Sequence, residues 1–266
     1  MAEFNDNLPI LKQWMETLTK PTLYRIDWVL KQMTFENISQ MDQLLQVIYD
    51  AATGCSSPQR HLYAEVCDLL KQKTVNGTTF KNLLLKKCQT SFKLVMDGDV
   101  VDTSVVEFIG ELFNVGLFPG TILTKQLIDE LINRRMQENH ESGLLQVYAL
   151  LVTAGSRLEA EIDHSPQRYS FTMQQYLWRL EEAAMKQTAH SKGSQRGNSV
   201  ELVGELNSAR KKKWIPFMEA TRMKRLTEQK YQQITRQELL EYNNKVDGMF
   251  ERLKLSFGSK TLQQAS

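Results

Sequence analysis

Four histidines and three cysteines are the residues of this chain best suited to metal or nucleophilic chemistry, and their spacing defeats both. His61, His140, His164 and His190 fall on separate predicted helices and loops. His61 precedes Cys67 by six residues, a rotation of about 600° on a helix, so the two do not form a ligand pair on one face. Cys55, Cys67 and Cys88 are odd in number and widely spaced, with no CxxC pair, which supports neither a zinc ribbon nor a disulfide scaffold. They read as free, mostly buried thiols of a reducing compartment. The sequence contains no GxxxxGK[ST], GxGxxG or HExxH. No catalytic residue, metal ligand or cofactor is expected, and the chain reads as a binding protein rather than an enzyme.

The remaining candidates are cations and apolar anchors. In Thr79–Lys93, TFKNLLLKKCQTSFK, the residues Phe80, Leu84, Cys88 and Phe92 recur every four positions, and Leu83 and Val95 widen that stripe. Lys86 and Lys87 lie off it, either as a solvated face or as contacts to RNA phosphates. Arg210, Lys211, Lys212 and Lys213 are denser and sit at the end of a predicted helix, where cations also complement the helix dipole. Residues 210–230 carry eight basic side chains against two acidic ones, whereas the whole chain is only +2. Any nucleic-acid contact must therefore be a local patch, sensitive to salt and indifferent to sequence. Trp14, in LPILKQWMETL, either staples the N-terminal end of the fold or is an exposed aromatic anchor of the kind that dominates interfaces. Leu117 and Phe118, beside the Pro-Gly turn of GLFPGT, form a buried corner or an apolar edge knob. YRIDWVL (24–30) approaches the ligand pattern of the cap-binding protein but carries Val29 where Leu is required, and is rejected.

The elements that would position these residues are helices. Apolar stripes at helical period run through Leu62–Leu70, Val105–Phe113, Leu127–Ile132, Leu144–Val152 and Met173–Leu180. No alternating segment bounded by hairpin turns stands out, so strand content should be near zero. TGCSSPQ, TVNGTT, MDGDVVDT, LFPGT, QENHES and EIDHSPQRYS read as turns or loops. Ser57, Thr121 and Ser142 are the expected caps at three of them. First helices of successive pairs begin near 21, 58, 101 and 141, about 40 residues apart, as in a two-helix HEAT-type unit. A fifth would start near 196, after the polar linker KQTAHSKGSQRGNS (186–199). One pair cannot bury its apolar face alone, so neighbours stack and share a core. The expected fold is all-α: a right-handed α-solenoid of about five HEAT-type pairs over residues 15–216. A basic linker and an amphipathic helical tail follow over 217–266. Ile234, Leu239, Leu240, Val246, Phe250 and Leu253 form the tail's apolar side, packed in cis or offered to a partner through Leu240 and Phe250. Dimerisation through 234–253 is a further expectation. The N-terminus shows no secretory signal and no run approaches a membrane span, so no membrane is expected and the location is expected to be cytoplasmic.

Five segments in register carry a resemblance. LYAEVCDLL (62–70), FKNLLLKKCQTSF (80–92), VVEFIGELFNVGLF (105–118), GLLQVYALLVTAGSRLE (143–159) and VELVGELNSARKKKW (200–214) are together similar to the HEAT-repeat middle domain of eukaryotic translation initiation factor 4 gamma. Its relatives include the poly(A)-binding-protein-interacting proteins and the cap-binding-complex-dependent initiation factor. The resemblance covers roughly residues 15–216, and nothing beyond Pro216 matches.

That resemblance implies a non-enzymatic adaptor in mRNA translation. It would hold the lobes of the DEAD-box helicase initiation factor 4A in a productive orientation, with the segment around Trp14 near the first contact. Basic edges, through Lys86, Lys87 and Arg210–Lys213, would retain RNA weakly and non-specifically. Other initiation factors or poly(A)-binding protein are further implied partners. Two alternatives stand beside it: an RNA-binding module, and a HEAT adaptor for repression or decay factors that does not bind the helicase.

Overall fold

The computed structural model describes residues 4–16, 18–55, 59–97, 102–135, 141–190 and 198–231. Among these the chain is almost wholly helical, as the periodicity requires. Two compact units are present, one made of the chain up to Leu84 together with the described residues from Arg222 onward, the other spanning Leu85–Thr221.

The first unit contains α1 (Phe4–Glu16), α2 (Lys20–Gln32), α3 (Ile38–Gly54), α4 (Arg60–Leu70) and the start of α5 (Phe80–Asp97). Thr19 opens α2 with a capping box: its hydroxyl accepts from the Thr22 amide, and the Thr22 hydroxyl accepts from the Thr19 amide. Along α3, Met41, Leu44, Leu45, Ile48 and Ala52 recur at three and four residues and are buried, because α1 and α4 pack on that face. Arg60 is buried at the start of α4 and donates to the carbonyl oxygens of Ala52 and Cys55, closing the end of α3. The Tyr63 hydroxyl donates to the Met15 carbonyl oxygen at 2.5 Å, and Lys20 pairs with Glu65 at 2.6 Å.

The segment TVNGTT, expected as a plain loop, is a minimal β-hairpin. β1 (Thr74–Val75) pairs antiparallel with β2 (Thr78–Thr79). Asn76 and Gly77 both have positive φ, 48° and 76°, the requirement of a two-residue type I′ turn. Two-residue strands are too short to show alternation; the Asn-Gly pair was the readable signal.

The second unit contains the rest of α5, α6 (Ser104–Asn114), α7 (120–135), α8 (Glu141–His164), α9 (Met173–His190), α10 (Asn198–Lys211) and the start of α11 (Ile215–Tyr231). Helix α6 is buried along its length against α8, where Gly110 allows close approach: a Cβ there would lie 3.1 Å from the Thr153 methyl. Gly116, with φ 82°, ends α6 in a Schellman motif. The Leu117 amide donates to the Leu112 carbonyl and the Gly116 amide to that of Phe113. Helix α8 also packs on α10, and α10 on α9.

Helix α7 departs from expectation in kind. It begins as Gly120–Ile122 and continues through two π-helical stretches, Leu123–Ile128 and Leu131–Arg135. The Asp129 amide donates to the Thr124 carbonyl, five residues back. Leu127, Ile128, Leu131 and Ile132 are buried as their stripe predicts, but on wide turns. Thr121 and Ser142 fall within their helices rather than at the caps, since α7 starts at Gly120 and α8 at Glu141. Ser57 lies outside the described residues.

Candidate interaction surfaces

The apolar candidates are interior residues. Trp14 is only 2% exposed and lies among the buried side chains of its unit with Leu11, Met15 and Leu18, so it is not a surface anchor. Its indole N–H has no hydrogen-bond partner among the described residues. Leu117 and Phe118 are also buried, which corrects the edge-knob reading and leaves the inter-helix corner. Leu117 is the residue that follows the left-handed position of the α6 Schellman motif, and its inward direction comes from that turn. Leu240 and Phe250 lie outside the described residues.

The basic candidates divide. Lys86 is exposed and Lys87 half-buried on α5. Arg210 is held inside a network: its Nε donates to Glu159 Oε1 at 2.6 Å and its guanidinium also donates to Gln174 Oε1. Trp214 Nε1 donates to the other Glu159 oxygen at 2.6 Å. One carboxylate on α8 thus fixes both the last turn of α10 and the tryptophan after it. The Trp214 ring lies on Gly155, where a Cβ would come within 2.8 Å of ring carbons.

The turn carrying Lys211–Lys213 follows from this anchoring. The Trp214 amide donates to the Ala209 carbonyl at 2.7 Å, and the Lys213 amide to the Arg210 carbonyl at 2.8 Å, again a Schellman pair. Its left-handed position is occupied by Lys213 (φ 53°), and Trp214 is also left-handed (φ 62°). Side chains with a Cβ adopt this conformation at a cost of about 1 kcal/mol or more. Lys211, Lys212 and Lys213 are all exposed there, while Arg210 and Trp214 point inward. Of the four predicted cations in this run, three are displayed and one is structural.

Beside the turn, a shallow groove of about 490 Å³ runs between α9 and α10, lined by Gln174, Glu181, Gly204, Asn207 and Lys211. Trp178 shares the α9 face of Gln174 and Glu181 and is 60% exposed. The sequence reading did not select Trp178. The signal was present, because Met173, Tyr176, Leu177 and Leu180 define the buried stripe and Trp178 falls off it.

Burial pushes the Cys88 thiol up to about 12, so it remains a protonated core residue. Tyr63, Tyr148 and Tyr169 are raised above the ordinary phenol value, in each case first by burial. Glu205 beside Tyr148 and Glu161 beside Tyr169 add to the rise. No protein-family model matches this chain, and no curated protein matches it.

Proposed function

We propose that this chain is a non-enzymatic cytoplasmic adaptor of mRNA translation, built as a HEAT-type solenoid. The observation that carries the reading is the placement of its helices. First helices start at Lys20, Arg60, Ser104 and Glu141, about 40 residues apart, and a fifth starts at Asn198, after the longer polar linker. Inside one unit α2 packs on α4; inside the other α6 packs on α8 and α8 on α10. First helix on first helix is the stacking of a two-helix repeat. Together with the five sequence segments similar to the middle domain of initiation factor 4 gamma, this supports helicase 4A as partner. The scaffold accelerates the helicase only if it binds its closed or half-open form better than the open one.

Calorimetry of the chain with purified helicase 4A, with ATPase measured in parallel, tests this. Binding accompanied by stimulated ATPase is the expected result. A folded chain that shows no binding at tens of micromolar removes the helicase from the mechanism.

The exposed Lys211–Lys213 turn favours weak RNA contact as a second activity. Three lysines at about 0.7 counterions each give a slope near −2 for log affinity against log salt on single-stranded RNA. Replacing all three by Gln should flatten that slope; an unchanged slope would place RNA elsewhere.

A further inference from the structure

Within the second unit, α5, α6 and α7 enclose a groove of about 460 Å³, within the range of sites that bury a ligand side chain. Its floor is apolar: Cys88, Phe92 and Met96 of α5, Ile109 of α6, Phe118, and Leu127 of α7. Its rim is polar, with Gln89 and Lys93 on one side and Lys125, Gln126 and Glu130 on the other, and the Gln89 amide donates to Gln126 Oε1 across it at 3.4 Å. Lys86 lies on the same α5 stripe as Gln89, Lys93 and Met96, at spacings of three and four residues. Lys86, Lys93, Lys125 and Glu130 make no ion pair among the described residues. The groove mouth therefore offers two unpaired cations against one anion, over a floor with no charge, and Lys86 adds a third cation outside the lining, one turn along the α5 stripe. Lys125, Gln126 and Leu127 on this wall lie in the π-helical stretch Leu123–Ile128 of α7, a departure from α-geometry frequently found at functional sites, and Glu130 follows it.

The geometry points to a docking groove for a short acidic segment of a partner protein, seated by one aliphatic or aromatic side chain on the apolar floor. Carboxylates flanking that anchor would meet Lys93 and Lys125, with Lys86 one turn further along. Charge complementarity selects the sign of the partner, and the enclosed apolar floor selects peptide over nucleic acid. Bases bind single-stranded sites by stacking on open aromatic faces, and Phe92 and Phe118 are both buried here, which leaves no open ring face for a base. This assignment is independent of the helicase reading, since it uses none of the same contacts.

The test is selection of a displayed library of random peptides, about twelve residues long, on the full chain. Winning peptides are then measured by fluorescence anisotropy against three variants. Lys93→Glu/Lys125→Glu reverses the rim charge, Gln89→Trp fills the mouth from an exposed position, and Lys212→Glu reverses a cation that does not line the groove. The expected outcome is peptides rich in Asp and Glu around one large apolar residue. Their affinity should fall about tenfold or more in each of the first two variants and stay unchanged in the third. Enrichment of peptides without acidic bias, no enrichment, or equal loss in Lys212→Glu would overturn the proposal. So would a single-stranded RNA oligonucleotide that binds the wild type and is released by the rim reversal while no peptide is. Circular dichroism melts establish that each variant is folded; should the double variant fail to fold, Gln89→Trp decides.

Discussion

Trp14 and Trp178 are the same residue type with opposite roles, and the difference is measurable. Trp14→Ala removes a core side chain and should cost about 3–5 kcal/mol in urea unfolding. Trp178→Ala, on an exposed face, should change stability by less than about 0.5 kcal/mol. Gly155→Ala places a methyl into the Trp214 ring and should cost about 1–3 kcal/mol by overpacking. Iodoacetamide at pH 8, read by mass spectrometry, should label half-buried Cys55 and spare Cys67 and Cys88, which are buried. At this scale the sequence was legible where a residue could be placed on or off a stripe. Cys88 and Phe92 were, and Trp178 should have been. Trp14 was not, because its burial depends on the neighbours of α1 and not on the period of its own segment. Arg210 was misjudged for the same reason: it resembles its three lysine neighbours until Glu159 and Gln174 are seen beside it.

Helix ends and wide turns belong to the scale of elements. Lys213 sits where a glycine is the unstrained choice, so Lys213→Gly should stabilise the chain by up to about 1 kcal/mol while removing one of the three displayed cations. A thermal melt and an RNA titration on the same variant separate the two effects: higher Tm with weaker RNA binding is expected. A lower Tm would mean that the left-handed turn is not where the cost lies. Helix positions were legible from apolar period and Gly/Pro punctuation, which is why the starts of α2, α4, α6, α8 and α10 were anticipated to within about three residues. The π-helical course of α7 was not legible. Leu127, Ile128, Leu131 and Ile132 satisfy an α-stripe, and nothing in residue type distinguishes a four-residue from a five-residue hydrogen-bonded turn. The hairpin at Asn76–Gly77 was hidden by its brevity.

The pH response belongs to the whole molecule. Tyr63, Tyr148, Tyr169 and Cys88 all have folded-state values above their ordinary ones. Their contribution is complete below the unfolded-state values and is lost as pH rises past them. Stability should therefore hold up to about pH 9, where an unfolded thiol ionises, and fall more steeply above about pH 10, where unfolded tyrosines do. Melts from pH 8 to 11 read this directly. Tyr63→Phe should cost about 1 kcal/mol at neutral pH, by loss of the bond to Met15, and make the fall above pH 10 shallower. An unchanged alkaline limb would show that Tyr63 does not report on unfolding. The all-α class was legible from composition and period together. The division at Leu84 was not, because the stripe from Phe80 to Phe92 runs through it without a break.

The wide turns of α7 also bear on sequence change over time. Each π-turn closes over one residue more than an α-turn, so a single-residue deletion within 123–128 can be absorbed by reversion to α-helix. That reversion would leave the residues on either side facing as before and change only which side chains the turn itself presents. Homologues that differ by one residue in this stretch would keep the fold and present a different set of side chains along the α5–α7 wall. Length variation at this one place is a route by which otherwise similar chains would diverge in the partners they accept.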